Sequence, residues 1–445
     1  MVNAKALLET SLLLTFFLGV FTLREQVHLG FCSSPAISKN VIVVPDNYTK
    51  ISWAVGNASE GDTIFVKSGV YPESSILVNK TLTIVGENAE TTVIDGEGTA
   101  QYIFHVIASN VVIENITLQN TDTSFAVQAS AIRIYNVTNV TVKDAITRNV
   151  FYAVEIRSSN LTRIMSSKFS ESVHSGIYLH NTSCNNTFVG NTIENNTNGI
   201  YIAEPTSQYN KFYHNNLINN TNQIVTFGGV DYFHNDYPSG GNYWSGYSAM
   251  DLKFGPDQNE TGSDGILDEG YPNSDYPWDN YPLAHPLTSF NVPVDNQSFL
   301  VQVSTNVTVT ACSLNISEKS LNLFANGSLD TSYACRVAIP KVLLSCENLT
   351  YWNILIYYSD SSWQRLSYLP LDDAENTYLF FSYNHTTAEA RIEIKGTTVV
   401  PEFSWPTMPI VLIILTLIIV IAKKVRLTNA QKFKGCTQCL QCLRA

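Results

Sequence analysis

The chain has 445 residues, of which 14% are charged and 44% hydrophobic, and its formal net charge is -12. That length allows two or three domains of the usual size of about 100–200 residues. An acidic balance without a basic run excludes a nucleic-acid partner, because phosphate contacts need clustered Lys and Arg.

Lys5 precedes an apolar stretch from Leu7 through Leu23, which Arg24 closes. A positive start and a short apolar region are the pattern of a secretory signal, so residues 1–35 are read as a signal peptide or an uncleaved signal anchor. Beyond it, "SSKFSESVHSGIYL", "GNTIENNTNGIYI" and "HNNLINNTNQIVT" repeat at a spacing of about 23–24 residues. Phe169, Ile193 and Leu217 share one register, and Ile177, Ile200 and Ile224 another. The looser earlier turns set Ile132 against Val154 and Ile146 against Phe169. Short β-rich runs separated by Asn, Gly and Ser, with no helical period, predict a right-handed parallel β-helix over 40–235.

Stacked coils turn equivalent residues into ladders. Asn149, Ser172, Asn196 and Asn220 form an expected polar ladder at a turn, where Asn tolerates left-handed backbone. Arg133, Glu155, Tyr178 and Tyr201 each stand between paired apolar residues, so all four are expected to point outward. Two readings of that row stay open. One is an Arg133–Glu155 salt bridge with tyrosines covering a sheet; the other is an aromatic strip, Tyr178 and Tyr201, for sugar rings. Glycosidases need paired acids and lyases a base beside acid-bound calcium. No acid stacks on an acid in this register, which argues against catalysis, although loops can supply a pair that the register hides.

Residues 236–288 are rich in Tyr, Trp and Asp. Asp257, Asn259, Thr261, Gly262 and Asp268 fit the count of an EF-hand loop, but Asp264 stands where an apolar residue belongs and flanking helices are absent. The stretch is read as the cap of the last coil, with Asp257, Asn259, Asp264 and Asp268 as candidate ligands of a structural calcium; a solvated acidic loop is the competing reading. Runs such as "FLVQVSTNVTVTACSLN" and "ARIEIKG" predict a small β-sandwich-like stalk over 289–398.

Cys335 and Cys346 are the expected disulfide in a compartment that permits one. From Trp405 to Ala422 the chain is apolar, and Lys423, Lys424 and Arg426 follow. Residues 403–422 are therefore predicted as a transmembrane helix and 423–445 as a cytoplasmic tail, with the main body extracellular. In the tail Cys436, Cys439 and Cys442 lack a nearby fourth metal ligand, and palmitoylation or no role competes with metal binding. Eighteen N-x-S/T triplets, among them Asn47, Asn115, Asn139, Asn181, Asn219, Asn306 and Asn384, are candidate glycosylation sites. Chance in an Asn- and Thr-rich chain accounts for part of them.

"AVGNASEGDTIFVKSGVY" and "NKTLTIVGE…TVIDG" resemble the N-terminal coils of NosD-like proteins and the wider carbohydrate-binding and sugar-hydrolase β-helix group. "GGNYWSGY…GSDGILDEGYP…DNYPLAHP" is similar to the segment that ends the β-helix in archaeal NosD-like surface proteins. "YACRVAIPKVLLS" and "PEFSW" resemble their downstream module and anchor. The resemblance implies copper delivery in some members, yet the eight His and four Met here are scattered without ligand spacing, so copper is not expected. The combined expectation is an all-β, membrane-anchored cell-surface protein that binds glycans or neighbouring envelope proteins without catalysis. A polysaccharide lyase or glycoside hydrolase on the same scaffold is the alternative.

Overall fold

The computed structural model describes residues 40–399, save 228, 273–277 and 296. The expected signal, transmembrane helix and cysteine-bearing tail lie outside the described residues. Among the described residues no helix is long and apolar enough to cross a membrane.

Short strands wind into three parallel sheets of eight, seven and eight strands. The first runs from Val41–Val44 to Lys211–Tyr213, the second from Ile76–Val78 to Asn222–Thr226, and the third from Gly69–Pro72 to Tyr243–Trp244. Each strand pairs only with the coils before and after it, and crossovers between parallel strands are right-handed, so the body is a right-handed parallel β-helix.

Inside, like side chains stack on like. Phe188, Phe212 and Phe233 lie ring on ring at 4.5 and 4.8 Å, and Phe169, Ile193, Leu217 and Trp244 continue another column. Burying each such side chain contributes about 1.5–3 kcal/mol. The helix Ile51–Asn57 covers the first coils. The Glu73 carboxylate accepts from the N–H groups of Ile51 and Ser52, which satisfies two of the free donors of that helix end.

The corners correct one register. Thr147, not Ile146, stacks on Phe169, and Val150, not Asn149, stacks on Ser172. Thr141 pairs with Arg163, 22 residues on, whereas Arg163 pairs with Thr187, 24 residues on. One averaged period therefore slips by a residue in the earlier coils. Ser172, Asn196 and Asn220 do form a ladder, but it points inward. The left-handed residues are those just before it: Asn149, Glu171, Asn195 and Asn219 have φ between 51° and 56°.

Every late coil has three such corners. Backbone N–H groups donate to the next coil's side chain along Thr162, Asn186, Asn210 and Asp231. A second ladder runs Ser167, Asn191, Asn215, Asn242 and Asp279, and the third Ser172, Asn196 and Asn220. Satisfying a buried amide in this way contributes about 1 kcal/mol per bond.

After the helix, two five-stranded antiparallel sheets pack face to face over a core that includes Val303, Leu321, Val337, Trp352 and Ile394. This β-sandwich is docked on the last coils. Arg336 is buried, donates to the carbonyl of Asp264 at 2.9 Å and to that of Pro238, and lies 4.6 Å over the Tyr378 ring. The Asn216 side chain exchanges two hydrogen bonds with the Leu287 backbone.

Candidate functional site

The outer face of the second sheet gathers the outward row read from the sequence. Ile132 and Ile134, Val154 and Ile156, Ile177 and Leu179, and Ile200 and Ile202 are buried, so the residue between each pair faces out. Register stacks His105, Arg133, Glu155, Tyr178 and Tyr201 in one column.

Glu155 is 3% exposed. It accepts from Ser130 Oγ at 2.5 Å and Arg133 Nε at 2.7 Å, and His180 Nε2 lies 2.9 Å away. Burial alone would raise its carboxyl, but the bond with His180 and the Arg133 charge outweigh it and hold the pKa at about 2. The one carboxylate in the column is thus an ionised pivot that orients Arg133 and His180. No second acid stands in that column for the two-carboxylate chemistry of a glycosidase.

Beyond Glu155 the face is aromatic. Tyr152 and Tyr178 stack at 4.5 Å with 6° between planes, and Tyr201 follows at 5.5 Å. His174 sits among them, 5.0 Å from Tyr152 and 5.1 Å from Tyr201. Burial lowers the His174 pKa, so the ring is neutral. Phe125, 68% exposed, lies edge-on over Phe151 at 5.0 Å. Toward the other end Arg133 lies over Tyr102 and Arg157 over Tyr135, each at 5.4 Å.

Sequence reasoning found Tyr178 and Tyr201 and missed Tyr152 and His174. The register shifts between Val150 and Tyr152, and such an irregularity breaks the alternation that assigns side chains to faces. Gly176 lies in the same bend. A β-carbon there would come within 2.7 Å of Ile193.

The acidic stretch resolves into separate roles. Asp279 is fully buried and takes the place of the next ladder Asn: it accepts from Asn242 N at 2.7 Å, Trp244 Nε1 at 2.9 Å and Tyr281 N at 3.0 Å. Burial, only partly offset by those donors, pushes its pKa up to about 7. Asp251 receives the N–H groups of Asp264 and Gly265 and is likewise pushed up to about 7 by burial. Trp244 stacks on Tyr271 at 4.2 Å and closes the last coil.

The four residues offered as calcium ligands do not converge. Asp257 and Asn259 are exposed. Asp264 is buried and accepts from Ile266 N, while Asp268 accepts from Leu252 N and Lys253 N. Among the described residues no group of three or more His, Cys, Asp or Glu is placed to hold a metal.

Cys335 and Cys346 are free, as are Cys184 and Cys312, so the expected bridge is absent here. Cys335 pairs with Phe381 and lies toward the Ser332 end of its strand. Cys346 follows Leu344–Ser345, which pairs with Thr398 and Val399 at the opposite end of the sandwich. The strand carries the chain about 3.4 Å per residue away from Cys335 before it turns.

Among the candidate glycosylation sites, Asn47, Asn139, Asn181, Asn219, Asn306 and Asn384 are exposed and Asn115 half-buried. Four of them, Asn115, Asn139, Asn181 and Asn219, hold left-handed corners. A corner that prefers Asn, then an inward residue, then a β-branched strand start such as Thr117 or Thr141, produces the triplet by itself.

The coiled region is a parallel β-helix, and residues 33–249 match the family described as "Periplasmic copper-binding protein (NosD)". No curated protein matches the chain. Similar solved structures include pectin methylesterase PemA from Erwinia chrysanthemi, 16% identical over 40% of this chain and 72% of its own, with a TM-score of 0.28. The A-module of mannuronan C-5 epimerase AlgE4 from Azotobacter vinelandii is 15% identical over 43% and 58%, at 0.30. Pectate lyase Pel9A is 15% identical over 46% and 59%, also at 0.30.

Copper needs imidazole or thioether donors that converge on one point. On this face His180 Nε2 is engaged by Glu155 and His174 Nδ1 by Ser175 Oγ. Among the described residues neither belongs to a group of three or more His, Cys, Asp or Glu placed to hold a metal.

Proposed function

We propose that the protein is a non-enzymatic, extracytoplasmic NosD-like β-helix that binds polysaccharide along the outer face of its second sheet. The observation that carries this reading is the pair of half-buried rings Tyr178 and Tyr201 on successive coils, with the buried Tyr152 stacked against Tyr178. Coils lie about 4.8 Å apart, so a saccharide chain along the helix axis meets the Tyr178 and Tyr201 side chains one after the other, each with apolar ring surface beside a hydroxyl. Arg133 and Arg157 extend the face with fixed donors. The apolar run from Trp405 to Ala422 supports an anchor in the cytoplasmic membrane, with the body outside, and the exposed triplets support glycosylation there.

The test uses the full-length protein against a panel of acidic and neutral polysaccharides. Binding is expected without new reducing ends or unsaturated products, and Y178A/Y201A is expected to lower affinity at least tenfold, about 1.4 kcal/mol, with unchanged folding. Turnover on any member of the panel would replace this reading by the lyase or hydrolase alternative. Full affinity in the double variant would remove the tyrosines as the site.

A further inference from the structure

The outer face of the first sheet carries a groove of about 690 Å³ that the reading above does not use. Its size falls within the range of about 300–1,000 Å³ usual for small-ligand sites. Tyr209, Lys211, Tyr232, His234, Asp236 and Asn185 are among the residues that line it. Register explains the gathering: Thr187 pairs with Lys211, and Lys211 bridges to Tyr232 one coil further on.

Two features single this groove out. Tyr209 has a φ of 61°, and by the same register it occupies the corner held by Asn139, Leu161 and Asn185 in earlier coils. Left-handed backbone costs a residue with a bulky side chain about 1–2 kcal/mol, and Asn less. Fold stability does not account for a tyrosine there, and Tyr209, like Tyr232, is 46% exposed.

The second feature is a balanced pair of charges. Lys211 Nζ donates to Asn235 Oδ1 at 2.5 Å and lies 5.2 Å from the Tyr213 ring. No carboxylate stands at salt-bridge distance from it among the described residues. Asp236, its side chain 86% exposed, lies 3.2 Å from His234 Nδ1. Burial lowers the His234 pKa and leaves that ring neutral. One cation and one anion therefore face the groove beside two tyrosine rings.

We propose that this groove is a second binding site, specific for a neutral pyranose unit. Its ring stacks on Tyr209 or Tyr232, and neighbouring hydroxyls accept from Lys211 and donate to Asp236. An anionic sugar would meet Asp236, and an apolar ligand would leave both charges without partners. The site shares no residue with the tyrosine strip.

Calorimetric titration of the full-length Y178A/Y201A protein with cellohexaose, mannohexaose and hexagalacturonate keeps the strip from contributing. At least one neutral hexasaccharide is expected to bind, and Tyr232→Ala and Asp236→Asn are each expected to weaken it at least tenfold. Tyr209→Asn is expected to lose affinity while its melting temperature rises by about 2–4 °C. The proposal is overturned if neither neutral hexasaccharide binds, if hexagalacturonate binds more tightly than both, or if Asp236→Asn leaves the affinity unchanged. Because Asp236 is exposed, that variant reads binding without a change in folding.

Discussion

Glu155 shows how a single side chain serves both stability and function. It is buried, yet ionised, because Arg133, Ser130 and His180 surround it. Its folded pKa of about 2 lies below the ordinary value of 4.5. The stability it contributes is therefore fully present above about pH 4.5 and is lost as pH falls toward 2. Glu155→Gln is expected to cost about 3–5 kcal/mol at neutral pH, since it leaves the Arg133 charge without its partner. The same variant should remove part of the acid limb of a melting profile; an unchanged Tm across that range would show the pair to be dispensable. The ion pair was legible in the sequence from one-period spacing alone. His180 and Ser130 were not, because their approach to Glu155 depends on how strand ends bend around the corner.

At the scale of the coil, the inward Asn ladders explain both the regularity of the repeat and its errors. An amide can accept from the coil on one side and donate to the other, so Asn191, Asn215 and Asn242 propagate without interruption. Ionised, a carboxylate only accepts, and Asp279 passes no amide N–H to a further coil, so it ends the ladder. With a folded pKa near 7 against an ordinary 3.8, its contribution is greatest below pH 4 and declines as pH rises through 7. Asp279→Asn is expected to reduce the slope of the melting temperature between pH 4 and pH 7, as followed by calorimetry, with Asp251, also pushed up to about 7, leaving a remainder. A slope equal to that of the wild type would place the titration elsewhere. Periodicity exposed the ladders, but a mean period hid the change from 22 to 24 residues per coil, so Ile146 and Asn149 were set one position off. The acidic stretch offered only composition, which cannot separate a ladder terminus from a calcium ligand.

In the whole molecule, the β-sandwich is part of the closure of the β-helix. Arg336 reaches out of the sandwich to two carbonyls of the cap, and His214, from the last coils, is buried against Ser239. Wild-type protein is expected to melt in one transition. Arg336→Met removes a charged donor from buried carbonyls, a loss of about 3 kcal/mol, and is expected to split the melt into two. One transition at the wild-type temperature would show that packing alone holds the junction. The sequence by itself determined the coil, its inward apolar columns and the outward row of Arg133, Glu155, Tyr178 and Tyr201, because each follows from contacts between residues one period apart. Only the tertiary structure decided the fate of Cys335 and Cys346, the separation of Asp257 from Asp264 and Asp268, and the groove at Tyr209 and Tyr232. Those depend on corners, strand ends and domain docking, where no repeating pattern in the chain encodes which side chains meet.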